Sequence, residues 1–496
     1  MSILKTMFAW FFFLLVFSGA AGQGYDRVWA VGTPVATMTF DGDSVINGQL
    51  VDSMTLSFNT LASICDSSGH FLCYSNGLAV YNRYGQIMPH GDSLSYPSPY
   101  YQLQQPQGQA SSQGVLILPK PGDTNFYYLF HYTSTDTDFT SGGYEATHFY
   151  YSVMDIRADS GRGDIVKKNV PLLHGEILSA SRLAACRHAN GRDWWIVKPA
   201  WHENIYYKFL LTPDTILGPF IQQIGPIYGA APELPSYSTF SQDGSKYASV
   251  TAESFVVVMD FDRCTGLFSN PDSIYNRDTY LSAPSGSGGV SLAFSPNGRF
   301  LYVDDPIELN QYDLFSMRIN DSVKIMTDTN EFYQMNILQL GSNGKIYLSC
   351  WAGGSYAMHV INQPDSLGLA CDFQLFGQPT STQSPVALPY FPNFRLGAIA
   401  GCDTIPNSIR DIETSSIKIA PNPASGMVTI SYPPHGSDGW SIELYDNVGE
   451  VVYSVKEQAG ADKTSIDVSA FAAGMYVVRV TAGSGVFLNA KVVVVR

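Results

Sequence analysis

Residues 240–250 read FSQDGSKYASV, residues 294–303 read FSPNGRFLYV and residues 340–349 read LGSNGKIYLS. In each, a short apolar run meets Asp-Gly or Asn-Gly, and an aromatic or β-branched run follows. Those dipeptides favour the positive φ of tight hairpins, so each stretch predicts two antiparallel strands and the turn between them. The same pattern occurs earlier as SICDSSGHFLCYS (63–75), ILPKPGDTNFYYLF (117–130) and CRHANGRDWWIVK (186–198). A looser second hairpin follows most of them: YYSVMDIRADSGRGDIV (150–166), VVMDFDRCTGLFSN (257–270), LNQYDLFSMRINDSVKI (309–325) and MHVINQPDSLGLACDF (358–373). Two hairpins per repeat give four strands, the blade of a β-propeller.

Six repeats are visible. VWAVGTPVATMTFDGDSVI (28–46) supplies strands for a seventh, closed against the end of the array. Closure removes the sheet edges that would otherwise pair with other chains. The fold class is therefore all-β: a propeller over 25–404, seven blades favoured over six or eight, with two stacked sandwiches as the main alternative. Composition agrees, with 30 Tyr, 28 Phe, 44 Gly and 28 Pro in 496 residues. Such aromatic strands punctuated by turn formers are a β signature.

The N-terminus sets the compartment. Lys5 precedes the apolar run MFAWFFFLLVF (7–17), and small residues follow to Gly22. This is the order of a secretory signal, 1–22, with the cut between Gly22 and Gln23. The run is too short for a spanning helix, which needs roughly 20 apolar residues. In an oxidising compartment some of the seven cysteines pair and at least one stays free. Cys65 and Cys73 flank the turn at Gly69 and are the natural candidate disulfide. There is no CxxC and no Cys/His cluster at zinc spacing, so no structural zinc site is expected. With 28 Lys and Arg against 43 Asp and Glu, the net charge of −15 argues against nucleic acid as a partner.

After a polar linker, IPNSIRDIETSS (405–416), the remaining residues 417–496 divide into IKIAPNPASGMVTISY, WSIELYDNVGEVVYSV, SIDVSAFAAGMYVVRVTAG and FLNAKVVVVR. Alternation and turn residues predict a small Ig-like β-sandwich. The prolines start the first strand, Gly474 supplies a turn before the next apolar strand, and the VVVV run (492–495) is expected to be buried.

Two resemblances follow from these residues. GLAVYNRYGQIM (77–88), RHANGRDWW, FSPNGRFLYV, FDRCTGLFSN and PNFRLG (392–397) resemble secreted WD-repeat-like or quinoprotein-like propellers of Bacteroidetes type, a group that implies architecture and surface context but no common activity. The order Pro421-Asn422-Pro423, LYDNVGEVV, Ile466-Asp467-Val468, Gly474-Met475-Tyr476 and the strand from Lys491 resembles the type A sorting domain of the type IX secretion system. That resemblance implies Pro421, Asn422, Pro423, Gly474, Tyr476 and Lys491 as sorting residues and the type IX machinery as partner. It also implies passage through the periplasm to the medium or the outer-membrane surface, where the tail is removed or exchanged for lipopolysaccharide.

Candidate chemistry is thin. His188 and Asp193 could form an acid/base pair beside a sugar-stacking Trp194 and Trp195; as a blade hairpin, the same residues satisfy backbone and fill space between blades. Arg162-Gly163-Asp164 spells an adhesion tripeptide inside a turn. Asp41/Asp43 and Asp136/Asp138 are carboxylate pairs of the kind calcium uses, otherwise ordinary solvated loops. Glu176, Arg182, Arg187, His188 and Glu233 are the channel candidates. No GxSxG elbow, HExxH helix, phosphate loop or dinucleotide fingerprint occurs. The leading expectation is a non-enzymatic exported scaffold binding an extracellular protein or glycan, without cofactor. The alternative is an extracellular polysaccharide hydrolase or lyase with its site on the channel; a quinone-bearing redox propeller rests on analogy of fold alone.

Overall fold

The computed structural model describes residues 24–495 apart from 33, 51–59, 96–107, 110–111, 136–144, 202, 228–235, 252–254, 276–290, 305–307, 317–321, 328–334, 351–354, 384–386, 403–416, 433–439, 447–450, 459 and 483–486. The signal segment, the Gly22–Gln23 cut and the linker 405–416 lie outside the described residues. The chain divides into two units, 1–405 and 406–496.

Among the described residues, the first unit contains seven antiparallel sheets, each continuous in sequence. Sheet 1 is β1 (Val28–Val31), β2 (Ala36–Asp41) and β3 (Ser44–Leu50); sheet 2 is β4 (Ala62–Cys65), β5 (Phe71–Ser75) and β6 (Val80–Asn82). Sheet 3 is β7 (Val115–Pro119), β8 (Phe126–Thr135), β9 (Glu145–Asp155) and β10 (Asp164–Ser179). Sheet 4 is β11 (Ala184–Arg187), β12 (Trp194–Pro199), β13 (Ile205–Leu211) and β14 (Ile216–Gln223). Sheet 5 is β15 (Tyr237–Phe240), β16 (Lys246–Val250), β17 (Phe255–Asp262) and β18 (Leu267–Tyr275). Sheet 6 is β19 (Ser291–Phe294), β20 (Phe300–Asp304), β21 (Glu308–Asp313) and β22 (Ser322–Thr327). Sheet 7 is β23 (Met335–Leu340), β24 (Ile346–Cys350), β25 (Ala357–Ile361) and β26 (Phe373–Pro379).

All six quoted turns join the first two strands of a sheet, and their glycines, Gly69, Gly122, Gly191, Gly244, Gly298 and Gly344, have φ between 72° and 88°. In sheets 5 and 6 the residue before glycine closes the turn with its side chain. Asp243 accepts from Ser245 N (3.0 Å) and Ser241 Oγ (2.6 Å); Asn297 accepts from Arg299 N (2.9 Å) and Ser295 Oγ (2.8 Å). These local bonds satisfy the turn before any tertiary contact forms. The cation beyond the glycine then reaches the third strand, Lys246 to Asp260 at 2.8 Å and Arg299 to Asp313 at 2.6 Å.

First strands pack side by side around the centre: β1 on β4, β4 on β7, β11 on β15, β15 on β19 and β19 on β23. Phe149 of sheet 3 meets Phe209 of sheet 4, ring centres 5.7 Å apart. The ring closes where Trp29 and Phe40 of sheet 1 meet Tyr347 of sheet 7 at 5.7 and 5.5 Å. Asn47 Nδ2 donates to Pro379 O (2.9 Å) and Ser381 Oγ to Gly48 O (3.0 Å) across the same seam. Among the described residues, closure is therefore made by side chains between whole sheets, without a strand borrowed from the other terminus. The first unit is a seven-bladed β-propeller.

The expected Cys65–Cys73 disulfide does not form; both cysteines are free and buried. Cys73 lies opposite Ile64 in the ladder, so the next residue, Cys65, turns to the other face. There its sulfur receives Val28 N at 3.3 Å, and burial raises its pKa to about 12. The disulfide that forms is Cys264–Cys402, 138 residues apart.

The second unit packs sheet β27 (Lys418–Ala420), β28 (Met427–Ser431), β31 (Lys463–Asp467) with sheet β30 (Val451–Glu457), β29 (Trp440–Tyr445), β32 (Gly474–Ala482), β33 (Phe487–Val494). Its separate core includes Val428, Ile430, Ile442, Leu444, Val478 and Val492. Two expectations need correction. The VVVV run is half-buried: Val492 and Val494 face the core while Val493 and Val495 face outward, the ordinary alternation of a sandwich strand. Gly474 makes no turn; it is the first residue of β32, paired with Val494, with nothing within 4 Å of the place a side-chain methyl would take.

Candidate functional site

After sheet 7 the chain does not leave the ring. The segment 387–402, ALPYFPNFRLGAIAGC, has two prolines and six large apolar side chains, so it stays extended and seeks burial. Leu388, Tyr390, Phe391, Phe394 and Leu396 are all buried. Phe391 packs on Trp29 of sheet 1 (5.8 Å), and Phe394 on Tyr25 (5.2 Å) and on Trp194 of sheet 4 (5.5 Å). Tyr390 meets Tyr237 of sheet 5 at 6.0 Å. Ile399 N donates to Ala189 O (2.7 Å) and Arg263 Nη2 to Gly397 O (2.8 Å), and the disulfide ties Cys402 to sheet 5. At the other side, Arg395 grips both oxygens of Asp26, at 2.8 and 2.6 Å.

In a ring of seven, sheet 1 lies across the centre from sheets 4 and 5. The segment is therefore a plug through the channel. Gln113, ahead of sheet 3, adds a second crosspiece by exchanging two hydrogen bonds with the backbone of Ser238 on β15, at 2.9 and 2.8 Å.

Among the described residues, the sequence candidates do not converge on one site. Arg187 lies over Trp194 (4.6 Å) and donates to Gly191 O (3.1 Å); burial draws its guanidinium down to about 10, leaving it a cation at neutral pH. His188 accepts Asn190 N at Nδ1 and donates from Nε2 to Cys264 O, both at 3.0 Å, so both ring nitrogens are committed to backbone. Asp193 is buried against Arg192 (2.7 Å) and Asn190 (2.8 Å). Trp194 and Trp195 are each 1% exposed, and Trp195 donates to Arg263 O at 2.9 Å. Arg182 precedes β11 and Arg187 ends it, so the two lie roughly 16 Å apart, toward opposite mouths. Glu176, on β10, accepts from Tyr207 Oη at 3.3 Å. Glu233, Asp136 and Asp138 lie outside the described residues.

Asp41 and Asp43 are exposed, Asp41 facing Arg27 at 3.5 Å. Among the described residues, no three metal-ligating side chains come together. The Arg-Gly-Asp tripeptide spends its charges internally, Arg162 on Asp159 (2.7 Å) and Asp164 on His90 (2.9 Å).

Two pairs that sequence reading missed have the outline of catalytic dyads. Ser95 Oγ is 2.6 Å from His131 Nδ1, with Ser152 Oγ 2.9 Å from Nε2. Burial holds this imidazole near pKa 3, no carboxylate stands behind it among the described residues, and Thr133 Oγ1 and Asn169 bind the Ser95 backbone. The network fastens the end of sheet 2 to sheet 3. Cys350 Sγ lies 3.2 Å from His359 Nε2, but His359 Nδ1 accepts Phe376 N (3.1 Å). The neutral ring thus carries its proton on Nε2, toward the sulfur, and cannot act as its base.

One cavity of about 220 Å³ opens at the mouth, between the turns of sheets 5 to 7 and the plug. Gln242, Gln339, Ser342, Phe391, Asn393 and the Asp26–Arg395 pair line it. Asn393 holds the rim, donating to Gln242 O (2.6 Å) and accepting Arg395 N (2.8 Å).

In the second unit the predicted sorting residues have clear local roles. Asn422 donates to Lys491 O (2.8 Å) and accepts Val493 N (2.9 Å), holding the last strand from the side. Pro421 and Pro423 flank it, and Ala424 continues the contact in parallel with Val494. Tyr476 is buried and donates to Ala472 O (2.9 Å), closing the turn before β32.

Residues 418–495 match the secretion system C-terminal sorting domain. The chain carries that sorting domain. Its type IX tail engages the secretion machinery and directs the protein through the periplasm to the outer-membrane surface or the medium. No curated protein matches the chain. Among solved structures, a Lactobacillus plantarum protein is 12% identical with a TM-score of 0.42, covering 74% of this chain and 99% of that one. A Desulfotomaculum acetoxidans protein is 12% identical (TM-score 0.37; 74% and 99%). The β-propeller domain of Cps50 (Swd1) from Myceliophteria thermophila is 11% identical (TM-score 0.30; 77% and 97%). Likeness at this level carries no function to this chain.

Proposed function

We propose that this exported propeller is a binding scaffold, delivered to the cell exterior to hold an extracellular glycan or protein rather than to transform it. The observation that supports this reading is the plug. Where a propeller enzyme gathers acids, bases or a cofactor, this ring places its own Phe391, Phe394 and Tyr390, shielded by aromatic neighbours from three sheets. At the open mouth both oxygens of the Asp26 carboxylate are engaged by Arg395. The hydrolase reading needs at least one free carboxyl facing a cleft.

Purified full-length protein is incubated with extracellular polysaccharides and surface proteins, and both binding and product release are followed. Saturable binding without product is expected. Steady release of reducing ends or unsaturated sugars, scaling with enzyme, overturns the scaffold reading in favour of the hydrolase or lyase.

A further inference from the structure

The mouth cavity has a chemistry specific enough to choose a ligand class. Among the described residues its only charged lining side chains, Asp26 and Arg395, neutralise each other in a two-pronged pair. An anionic ligand would find no uncompensated cation there, and an amine no free carboxylate. What remains open is uncharged and two-way. Among the described residues the Gln242 carboxamide makes no hydrogen bond, and Gln339 uses only Nε2, on Leu340 O at 3.0 Å, leaving its carbonyl oxygen. Ser342 adds an exposed hydroxyl, and Arg395 retains N–H donors beyond the two given to Asp26. Carboxamides and hydroxyls both donate and accept, which suits the alternating demands of neighbouring sugar hydroxyls. Pro296, Pro392 and Phe391 line the same cavity and supply apolar surface for the C–H face of a ring.

Size points the same way. At about 220 Å³ the cavity is smaller than the roughly 300–1,000 Å³ of sites for drug-sized ligands, and it suits one ring rather than an extended chain. The rim is prepared in advance, since Asn393 ties the Gln242 backbone to the plug at 2.6 Å and fixes the backbone of Arg395. The backbone of the rim therefore has little ordering cost to meet on binding.

We propose that this cavity is a subsite for a single neutral sugar residue, presented as the end or a branch of an extracellular glycan. The proposal rests on the scaffold reading and adds the ligand's charge, size and position.

The test titrates full-length protein with neutral hexoses, N-acetylhexosamines, hexosamines and uronic acids, by calorimetry and saturation-transfer NMR. The same titrations are run on Gln242→Ala, Gln339→Ala and the double variant, with thermal melts to verify that each is folded. At least one neutral sugar should saturate at millimolar concentration or below. The double variant should bind it about tenfold or more weakly, near 1.4 kcal/mol, with an unchanged melting temperature. Affinity should be insensitive to salt, because no net charge is exchanged.

Absence of neutral-sugar binding, preference for a uronic acid or hexosamine with steep salt dependence, or equal affinity in the double variant would each overturn the proposal. If wild type and double variant retain an extracellular polymer equally well, the subsite falls and the scaffold stands. If product is released from the polymer, the scaffold reading falls first.

Discussion

Six of the seven sheets of the first unit open on the same local device, a glycine turn, closed in sheets 5 and 6 by the neighbouring Asp or Asn, and the centre is filled by a segment that repeats nothing. The second unit has neither a repeat nor a plug; it rests on strict alternation across two small sheets and on one asparagine at its last strand. The ring is thus a body with long-range fastenings, and the tail is a compact unit of 91 residues with a core of its own. Separate cores imply that each can be broken without the other.

The largest effect expected is on export. Deleting residues from Ile417 onward should leave the ring folded, with its melting temperature essentially unchanged, while surface and medium fractions fall to background and protein accumulates in the periplasm. Fractionation with immunoblotting measures this; a truncated chain that still reached the exterior would remove the sorting role of the tail.

Within the ring, Phe394→Ala attacks the plug where it touches both sides of the channel. Phe394 is fully buried between Tyr25 and Trp194, so truncation should cost about 3–5 kcal/mol. Denaturant unfolding should show the ring transition shifted and the tail transition unmoved. Cys402→Ser frees the end of the plug. Loss of a native disulfide closing a loop this long is worth about 2–5 kcal/mol, and reductant should lower wild-type stability by a similar amount while leaving the variant unaffected.

These fastenings were the part least legible in the sequence. The six glycine turns, the N-terminal strands and the sorting motif could be read because each is local: a few consecutive residues decide a hairpin. Asp26 and Arg395 are 369 positions apart, and nothing periodic links them. PNFRLG stood out as a motif, yet its meaning depends on a ring that exists only after every sheet has formed. The cysteines show the same bias. Proximity in sequence favoured Cys65 with Cys73, and a single step of strand alternation turned their sulfurs to different faces. The mouth cavity escaped for a related reason, since turns of three sheets and the plug each contribute only a few residues.

Lys208 separates the units by pH. It is buried between sheets 4 and 5, bonded to Gln222 Oε1 (2.6 Å) and Gly266 O (2.5 Å), and burial lowers its pKa to about 7. Above pH 7 the unfolded chain keeps a proton on this amine that the folded ring has lost, so ring stability rises with pH from about 7 toward the ordinary lysine value and is flat, with respect to this group, below about 7. Lys208→Met should remove that slope. Comparing variant and wild type between pH 7 and 8.5, below the titration of the buried thiols, isolates it at no more than about 1.4 kcal/mol per pH unit. Equal slopes would mean that the lysine stays charged in the fold. The tail transition should show no difference.

The smallest effect belongs to the tail. Asn422→Ala deletes one bond to Lys491 O and one from Val493 N, both at the surface, where water replaces them. The net cost should be about 1–2 kcal/mol. Ala424 still exchanges backbone bonds with Val493 and Val495, each 2.8 Å, so the last strand stays in place with one fewer support. Hydrogen exchange should therefore quicken at the Val493 amide first, while the amides of β29, in the middle of the sheet, keep their protection until the whole sandwich unfolds. If protection at β29 fell in step with Val493, the terminal strand would be part of one cooperative unit and Asn422 its keystone. If neither changed, the asparagine would be dispensable to the fold, and its place in the sorting motif would have to come from what the secretion machinery touches.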